Sequence, residues 1–212
     1  MVSERPTPRT LRVVGLCVVT LLCADAALGL IAALHSLIEQ RLLGQLDAMG
    51  PTESAAGRLI ESLREAARRR RLLDQATLAA TFATAPAFLV WFHRAYGNLR
   101  AMGESPRTTP ARATLGWFIP LGNLYLPYRA AQEIRTLSGN PTSSWVVFGW
   151  WILWLLSRLT ERLAALAIDG GNLTEAISLH GAAAFEASCS AILGAVFVAR
   201  VTRAQTCDLE RS

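Results

Sequence analysis

The sequence predicts an all-α integral membrane protein: four transmembrane helices, a short proline-broken re-entrant or interfacial segment, and an extracytoplasmic pair of amphipathic helices. Three observations predict it. Apolar residues make up 52% of the 212 residues and charged residues only 17%. The apolar residues gather in runs of about twenty, the length that crosses about 30 Å of hydrocarbon at about 1.5 Å per residue. The basic residues, 21 Arg and no Lys, stand beside these runs rather than forming one face, as topology determinants do. A nucleic-acid partner would need a clustered basic face with aromatic or groove-reading context. None is expected here; the expected surroundings are the lipid bilayer.

Taken in order, residues 1–12 read as a polar cytosolic tail and 13–34 as the first span. Ala24-Asp25-Ala26 imitates a small-x-small cleavage site, but the apolar run continues to Leu34, so an uncleaved span is expected. Residues 35–71 read as the extracytoplasmic helical segment. Leu37, Ile38, Leu42, Leu43 and Leu46 recur at helical spacing, and Gly50-Pro51 breaks the pattern. Thr52 is placed to cap a second helix, with Leu59, Ile60 and Leu63 on one face and Glu65 paired with Arg69. The run Arg68 to Arg71 closes it, as a solvated helix face or, alternatively, a contact for lipid phosphate.

Residues 72–93 read as the second span, with Thr77, Thr81 and Thr84 in one stripe and a kink at Pro86. Residues 94–144 form a cytosolic loop. Within it, 115–128 is apolar but would reach only about 21 Å as a straight helix. Pro120, Gly122-Asn123 and Pro127 interrupt it, so it is expected to dip into the cytosolic leaflet and return. A tilted fifth crossing is the alternative. A surface helix follows from Tyr128 to Leu137, stopped by Ser138-Gly139-Asn140-Pro141. Residues 145–168 are the third span, Asp169 to Thr174 a tight turn, 176–199 the fourth span and 200–212 a cytosolic tail.

Charge sets the orientation. With the N-terminus in the cytosol, the inside segments carry twelve Arg and the outside segments seven. That bias favours both termini in the cytosol, with Arg68 to Arg71 as the objection. Trp91, Trp117 and Trp145 would then form an aromatic belt at the cytosolic interface. Arginine in place of lysine suits a GC-rich bacterial source, so the expected location is a bacterial cytoplasmic (inner) membrane.

One set of residues is similar to a known family. Trp91, Arg94, Ala95 and Asn98-Leu99 are followed by Gly116-Trp117-Phe118-Ile119-Pro120, Asn123-Leu124 and Pro127-Tyr128, and then by the Gly149 to Trp154 aromatic run. This pattern resembles the bacterial membrane family catalogued as domain of unknown function 4328. The resemblance implies a multi-pass bacterial membrane protein and brings no catalytic residues with it.

Two groups of residues are candidate sites. Asp25, Arg158 and Glu186 each lie twelve or thirteen residues from the cytosolic end of their spans, roughly 18–20 Å deep. A lone charge there costs about 2.5–3.5 kcal/mol or more. All three are therefore expected to turn inward as a buried cluster, Arg158 between two carboxylates, with Glu161 and Arg162 extending the stripe. The second group is a cytosolic cleft or interface formed by Trp91, Arg94, Asn98, Trp117, Pro120, Asn123, Pro127 and Tyr128, for which loop capping and interface anchoring is the plainer alternative.

No catalytic motif emerges. GxSxG, HExxH and paired aspartates on a span are missing from the sequence. His35, His93 and His180 do not make a ligand set, and Cys17, Cys23, Cys189 and Cys207 have no metal-ligand spacing. No cofactor or metal is expected. The expected role is a non-enzymatic, membrane-embedded interaction or accessory protein, with a membrane protein or a second copy as partner. The alternative is a small oligomeric transporter or channel subunit using Asp25, Arg158 and Glu186.

Overall fold

The computed structural model describes residues 8–48, 53–139 and 142–210. The Gly50-Pro51 break, the Thr52 cap, Asn140-Pro141, Arg5 and Arg211 lie outside the described residues. Six α-helices carry the described chain: α1 (Pro8–Ala48), α2 (Glu53–Ala101), α3 (Pro110–Leu115), α4 (Leu126–Leu137), α5 (Ser144–Asp169) and α6 (Leu173–Leu209). No strand occurs among the described residues. Three helices, α1, α2 and α6, are long and apolar enough to cross a membrane. The fourth long helix, α5, has 26 residues. Its tryptophans score low on a hydropathy scale, and Arg158, Glu161 and Arg162 interrupt its second half.

The element boundaries differ from expectation in one consistent way: the helices do not stop where the apolar runs stop. The first span and the first amphipathic helix are one 41-residue rod. The second amphipathic helix, the second span and Tyr96 to Ala101 are one 49-residue helix that passes through Pro86. Residues 8–12 and 200–209, expected as tails, are helical. Hydrogen-bonded backbone continues wherever no breaker intervenes, whether the outward face is apolar or charged. The breaks fall where turn chemistry forces them. Gly139 (φ 57°) follows α4 and Gly171 (φ 77°) follows α5, left-handed positions that glycine occupies without strain. Asn172 caps α6: its Oδ1 accepts from the Glu175 N–H at 3.2 Å and its Nδ2 donates to Glu175 Oε2 at 2.7 Å. Thr109 caps α3 with Pro110 in its first turn.

The chain divides into two compact units. Unit 1 contains residues 1–24, 81–152 and 191–212. Its core is aromatic, with Phe88, Trp91 and Phe92 of α2, Trp150 and Trp151 of α5 and Phe197 of α6 buried. Here α1 and α6 run antiparallel at close range, Gly15 beside Thr202 and Leu22 beside Gly194. A Cβ on Gly15 would stand 2.5 Å from Thr202 Oγ1, so only glycine permits that approach. Unit 2 contains residues 25–80 and 153–190. Its α1 and α6 segments also run antiparallel, through Gly29 against Ala184 and Ser188 and Ser36 against Gly181.

Candidate functional site

In unit 1 the expected cleft is filled. Trp91 has 0% exposure and its Nε1 donates to Thr202 Oγ1 at 2.9 Å. Asn98 is buried and donates through Nδ2 to Gln205 Oε1 at 3.2 Å. Gln205, also at 0% exposure, donates through Nε2 to the Ala95 carbonyl at 2.9 Å and to Ser138 Oγ at 2.8 Å. One amide thereby ties α2, α6 and the end of α4 together. Trp91 and Asn98 are core residues, and their placement in a cytosolic cleft is corrected accordingly. A tryptophan at the end of an apolar run fits a lipid interface and a tertiary core equally well by composition; the partner helix decides.

Trp117 is half-buried and packs edge-on to Phe88, Phe92 and Trp151 at centroid distances of 5.5, 5.8 and 5.6 Å. The belt reading therefore fails for Trp91 and Trp117, whereas Trp145 is 72% exposed. Trp117 acts as a plug that fastens the 115–128 segment to the core, and Trp151 Nε1 adds a bond to the Leu124 carbonyl at 3.1 Å. The segment is not a helix. It leaves α3 at Leu115, turns, makes a 3₁₀ turn at Gly122–Leu124 and enters α4. Pro127 is buried in the first turn of α4, and the Tyr128 hydroxyl accepts from Gln132 at 3.1 Å. Asn123 is half-buried, while Pro120 and Arg94 are exposed. The outer side of the segment is apolar: Leu115, Phe118, Ile119, Leu121, Leu124 and Tyr125 are all exposed, Phe118 at 66% and Leu121 at 83%. Leu121 also has φ 62°, an unfavourable conformation for a residue with a branched side chain.

In the same unit, Tyr96 is buried and donates from its hydroxyl to Glu133 Oε2 at 2.6 Å. The other oxygen, Oε1, accepts from the Arg107 backbone N–H at 2.7 Å. Tyr96 lies beyond the cytosolic end of the expected second span. Burial, then the hydrogen bond to Glu133 and that carboxylate's negative charge, hold its phenol pKa well above the ordinary value.

In unit 2 the expected charge cluster does not assemble. Arg158, Glu161 and Arg162 are exposed, and Asp25 and Glu186 are half-buried. Among the described residues Arg158 forms no ion pair with either carboxylate; Glu186 Oε2 instead accepts from Thr160 Oγ1 at 3.0 Å. Spacing along a helix says nothing of azimuth, and Arg158 lies on an exposed face of α5.

A different polar set is brought together. His180 of α6 lies between Asp74 of α2 and Glu161 of α5, its Nε2 3.3 Å from Asp74 Oδ1 and its Nδ1 3.6 Å from Glu161 Oε1. Two opposed carboxylates on opposite ring nitrogens bridge three helices through one imidazole. The arrangement does not converge on a single point, and no metal-binding group of His, Cys, Asp and Glu occurs among the described residues. Sequence reasoning missed His180 by treating the histidines as isolated span-end residues. Matching the levels of Asp74, Glu161 and His180 near the extracytoplasmic ends of three expected spans would have found it. On the same side, Arg70 of α2 meets Glu39 of α1 at 3.1 Å, and His35 Nε2 is 2.8 Å from the Ala66 carbonyl oxygen.

No curated protein and no solved structure matches the chain. A family model does, over residues 59–206, from within α2 to near the end of α6. This stretch takes in the aromatic core, the 115–128 segment, the Gln205 network and the His180 bridge, and leaves out α1 with Asp25. The chain belongs to the family described as Domain of unknown function (DUF4328).

Proposed function

We propose that this is a multi-pass integral membrane protein of a bacterial cytoplasmic membrane, with four spans and both termini in the cytosol. Its role is that of a non-enzymatic interaction or accessory protein, with the 115–128 segment seated in the cytosolic leaflet. The observation that carries this reading is the outward apolar surface. Leu16 and Leu34 of α1, Leu72, Leu78 and Phe82 of α2, Leu159, Leu163 and Leu166 of α5 and Phe185 and Ile192 of α6 are all exposed. In water so much apolar surface would drive aggregation; in lipid it is the favoured state. The fourth span, α5, joins the other three on this ground.

The segment from Leu115 to Tyr125 supports the interfacial seat. Its irregular backbone is fastened from behind by Trp117, and most of its exposed side chains are apolar, as suits non-helical chain near a bilayer. The polar groups of unit 1 support a non-catalytic role. Asn98, Gln205 and Ser138, and separately Trp91 and Thr202, bond to one another, which holds helices in register.

The reading is tested by single cysteines at Glu104 and Asn172, both exposed in turns, in a chain whose four native cysteines are replaced by alanine. In sealed inverted membrane vesicles a membrane-impermeant maleimide should label Glu104→Cys directly and Asn172→Cys only after permeabilisation. Labelling of both from one side would overturn the topology. Ion flux through the purified protein in liposomes would overturn the accessory role in favour of transport.

A further inference from the structure

We propose that a small basic cleft between the 105–107 turn and α4 is a binding site for a phosphate group. It has a volume of about 340 Å³ and is walled by Arg107, Arg129 and Arg135, with Ser105, Gln132 and Thr136 supplying neutral polar atoms. Arg129, Gln132, Glu133 and Thr136 stand at i, i+3, i+4 and i+7, one face of α4. The turn carrying Ser105 and Arg107 closes the other side.

The charge balance makes this an anion site. Glu133 is the one acid in the wall, and both its oxygens are engaged, by the Tyr96 hydroxyl and the Arg107 backbone N–H. Arg107 and Arg129 are exposed and form no ion pair among the described residues. Arg135 donates its Nε to Gln132 Oε1 at 2.8 Å and one terminal nitrogen to the Thr142 carbonyl at 3.2 Å. Those bonds fix its guanidinium in place without neutralising it. Three guanidinium groups against one engaged carboxylate leave a net positive hollow. Arginine's planar fork matches the oxygens of a phosphate group. The volume sits near the lower end of the roughly 300–1,000 Å³ typical of small-molecule sites. Glu133 gains a role from this: it draws Arg107's backbone into position and stands between Tyr96 and the turn, so the wall is held from inside the core.

The phosphate can belong to a lipid headgroup or to a soluble anion. If the 115–128 segment rests in the cytosolic leaflet, as proposed above, Arg129 begins just beyond it at headgroup level. The lipid source depends on that reading; the soluble source does not.

The test uses the full chain purified in dodecyl maltoside. In one arm inorganic pyrophosphate is titrated by calorimetry. In the other, the protein is placed in nanodiscs of phosphatidylcholine with one-fifth phosphatidylglycerol, and lipid retained after delipidation is measured by native mass spectrometry. At least one probe should bind, at least tenfold more weakly to R107Q/R129Q/R135Q and unchanged in R41Q/R58Q/R64Q, which removes as much positive charge elsewhere. Binding of phosphatidylglycerol alone assigns a lipid source, and binding of pyrophosphate alone a soluble one. R129Q, at an exposed position, gives the same reading with a smaller loss if the triple variant does not fold. The site is overturned if neither probe binds, if the cleft variants bind as tightly as the native chain, or if the control variant loses binding equally. The pyrophosphate arm requires no membrane, so its outcome stands apart from the topology experiment.

Discussion

Gln205 concentrates more of the fold in one side chain than any residue that stands out by composition. It sits near the C-terminal end of α6 among charged neighbours, in a stretch that reads as a tail, and yet it is fully buried and bonded to three other residues. Removing its amide takes away the side-chain partner of the buried Asn98 amide and of the Ser138 hydroxyl, at a cost of about 1–3 kcal/mol. Q205L should therefore lower the apparent unfolding temperature in detergent despite its near-equal volume; no change would mean water reaches these groups. Tyr96 gives a second measurement at this scale. Because the folded state holds the phenolic proton more tightly than the unfolded chain, the contribution of this group is complete below its ordinary pKa near 10 and is lost as pH rises above it. The slope is at most about 1.4 kcal/mol per pH unit for one proton. The native chain should be more stable than Y96F at pH 8, and the two stability curves should converge above pH 10. Neither residue was legible beforehand. Sequence locates polar residues along a helix but not the partner that makes one of them interior, and the same gap turned Trp91 from a core residue into an interface anchor.

At the level of elements the sequence was informative about which segments are helical and poor about where helices end. The apolar run of the first span stops near Leu34, but α1 continues to Ala48 because nothing between them breaks the backbone. Hydropathy marks a change of surroundings, whereas glycine, proline and capping groups mark a change of backbone, and only the second ends a helix. Where both coincide, as at Gly170-Gly171 before α6, the expected and observed boundaries agree. The 115–128 segment was legible for the same reason, since its prolines forbid a straight helix whatever lies around it. The packing of α1 on α6 was not anticipated, although its signal is present as small residues that recur on both helices. In unit 2 a Cβ on Gly29 would stand 2.9 Å from the Ala184 carbonyl oxygen, a backbone atom that cannot give way without moving α6. G29V should accordingly cost about 1–3 kcal/mol through overpacking, read as a lower unfolding temperature and folded yield. G44V makes the control, because a Cβ there would meet no packed neighbour within 4 Å. Equal loss in both variants would point to helix propensity rather than to the α1–α6 contact.

For the whole molecule the governing quantity is the split between apolar side chains that face protein and those that face outward. Composition and run length predicted helices long and apolar enough to cross a membrane, and three of the described helices are. Composition could not divide the apolar residues, and the aromatic residues show why. Six tryptophans fall between Trp91 and Trp154. Trp91 and Trp151 are nearly inaccessible, Trp150 is buried with them, and Trp145 is 72% exposed one residue into α5. If lipid covers the outward surface, Trp145 lies at the cytosolic headgroup boundary, where an amphipathic indole is favoured. If water covers it, the ring is simply solvated. Phospholipids brominated at shallow and deep acyl positions distinguish the two, since bromine quenches indole emission only at close range. Reconstituted native protein should show a quenchable component with shallow bromines, and W145F should lose most of it. The emission of Trp91 and Trp150, packed against Phe88 and Phe197, should respond weakly to either lipid. Because the Trp145 ring is 72% exposed and meets Phe148 edge-on at 5.7 Å, replacing it should leave the unfolding temperature nearly unchanged. A shift in quenching then reports position and not unfolding. An aqueous quencher such as iodide that reaches Trp145 freely, while shallow bromolipid does not, would instead place the cytosolic end of α5 in water and remove the ground for counting it as the fourth span.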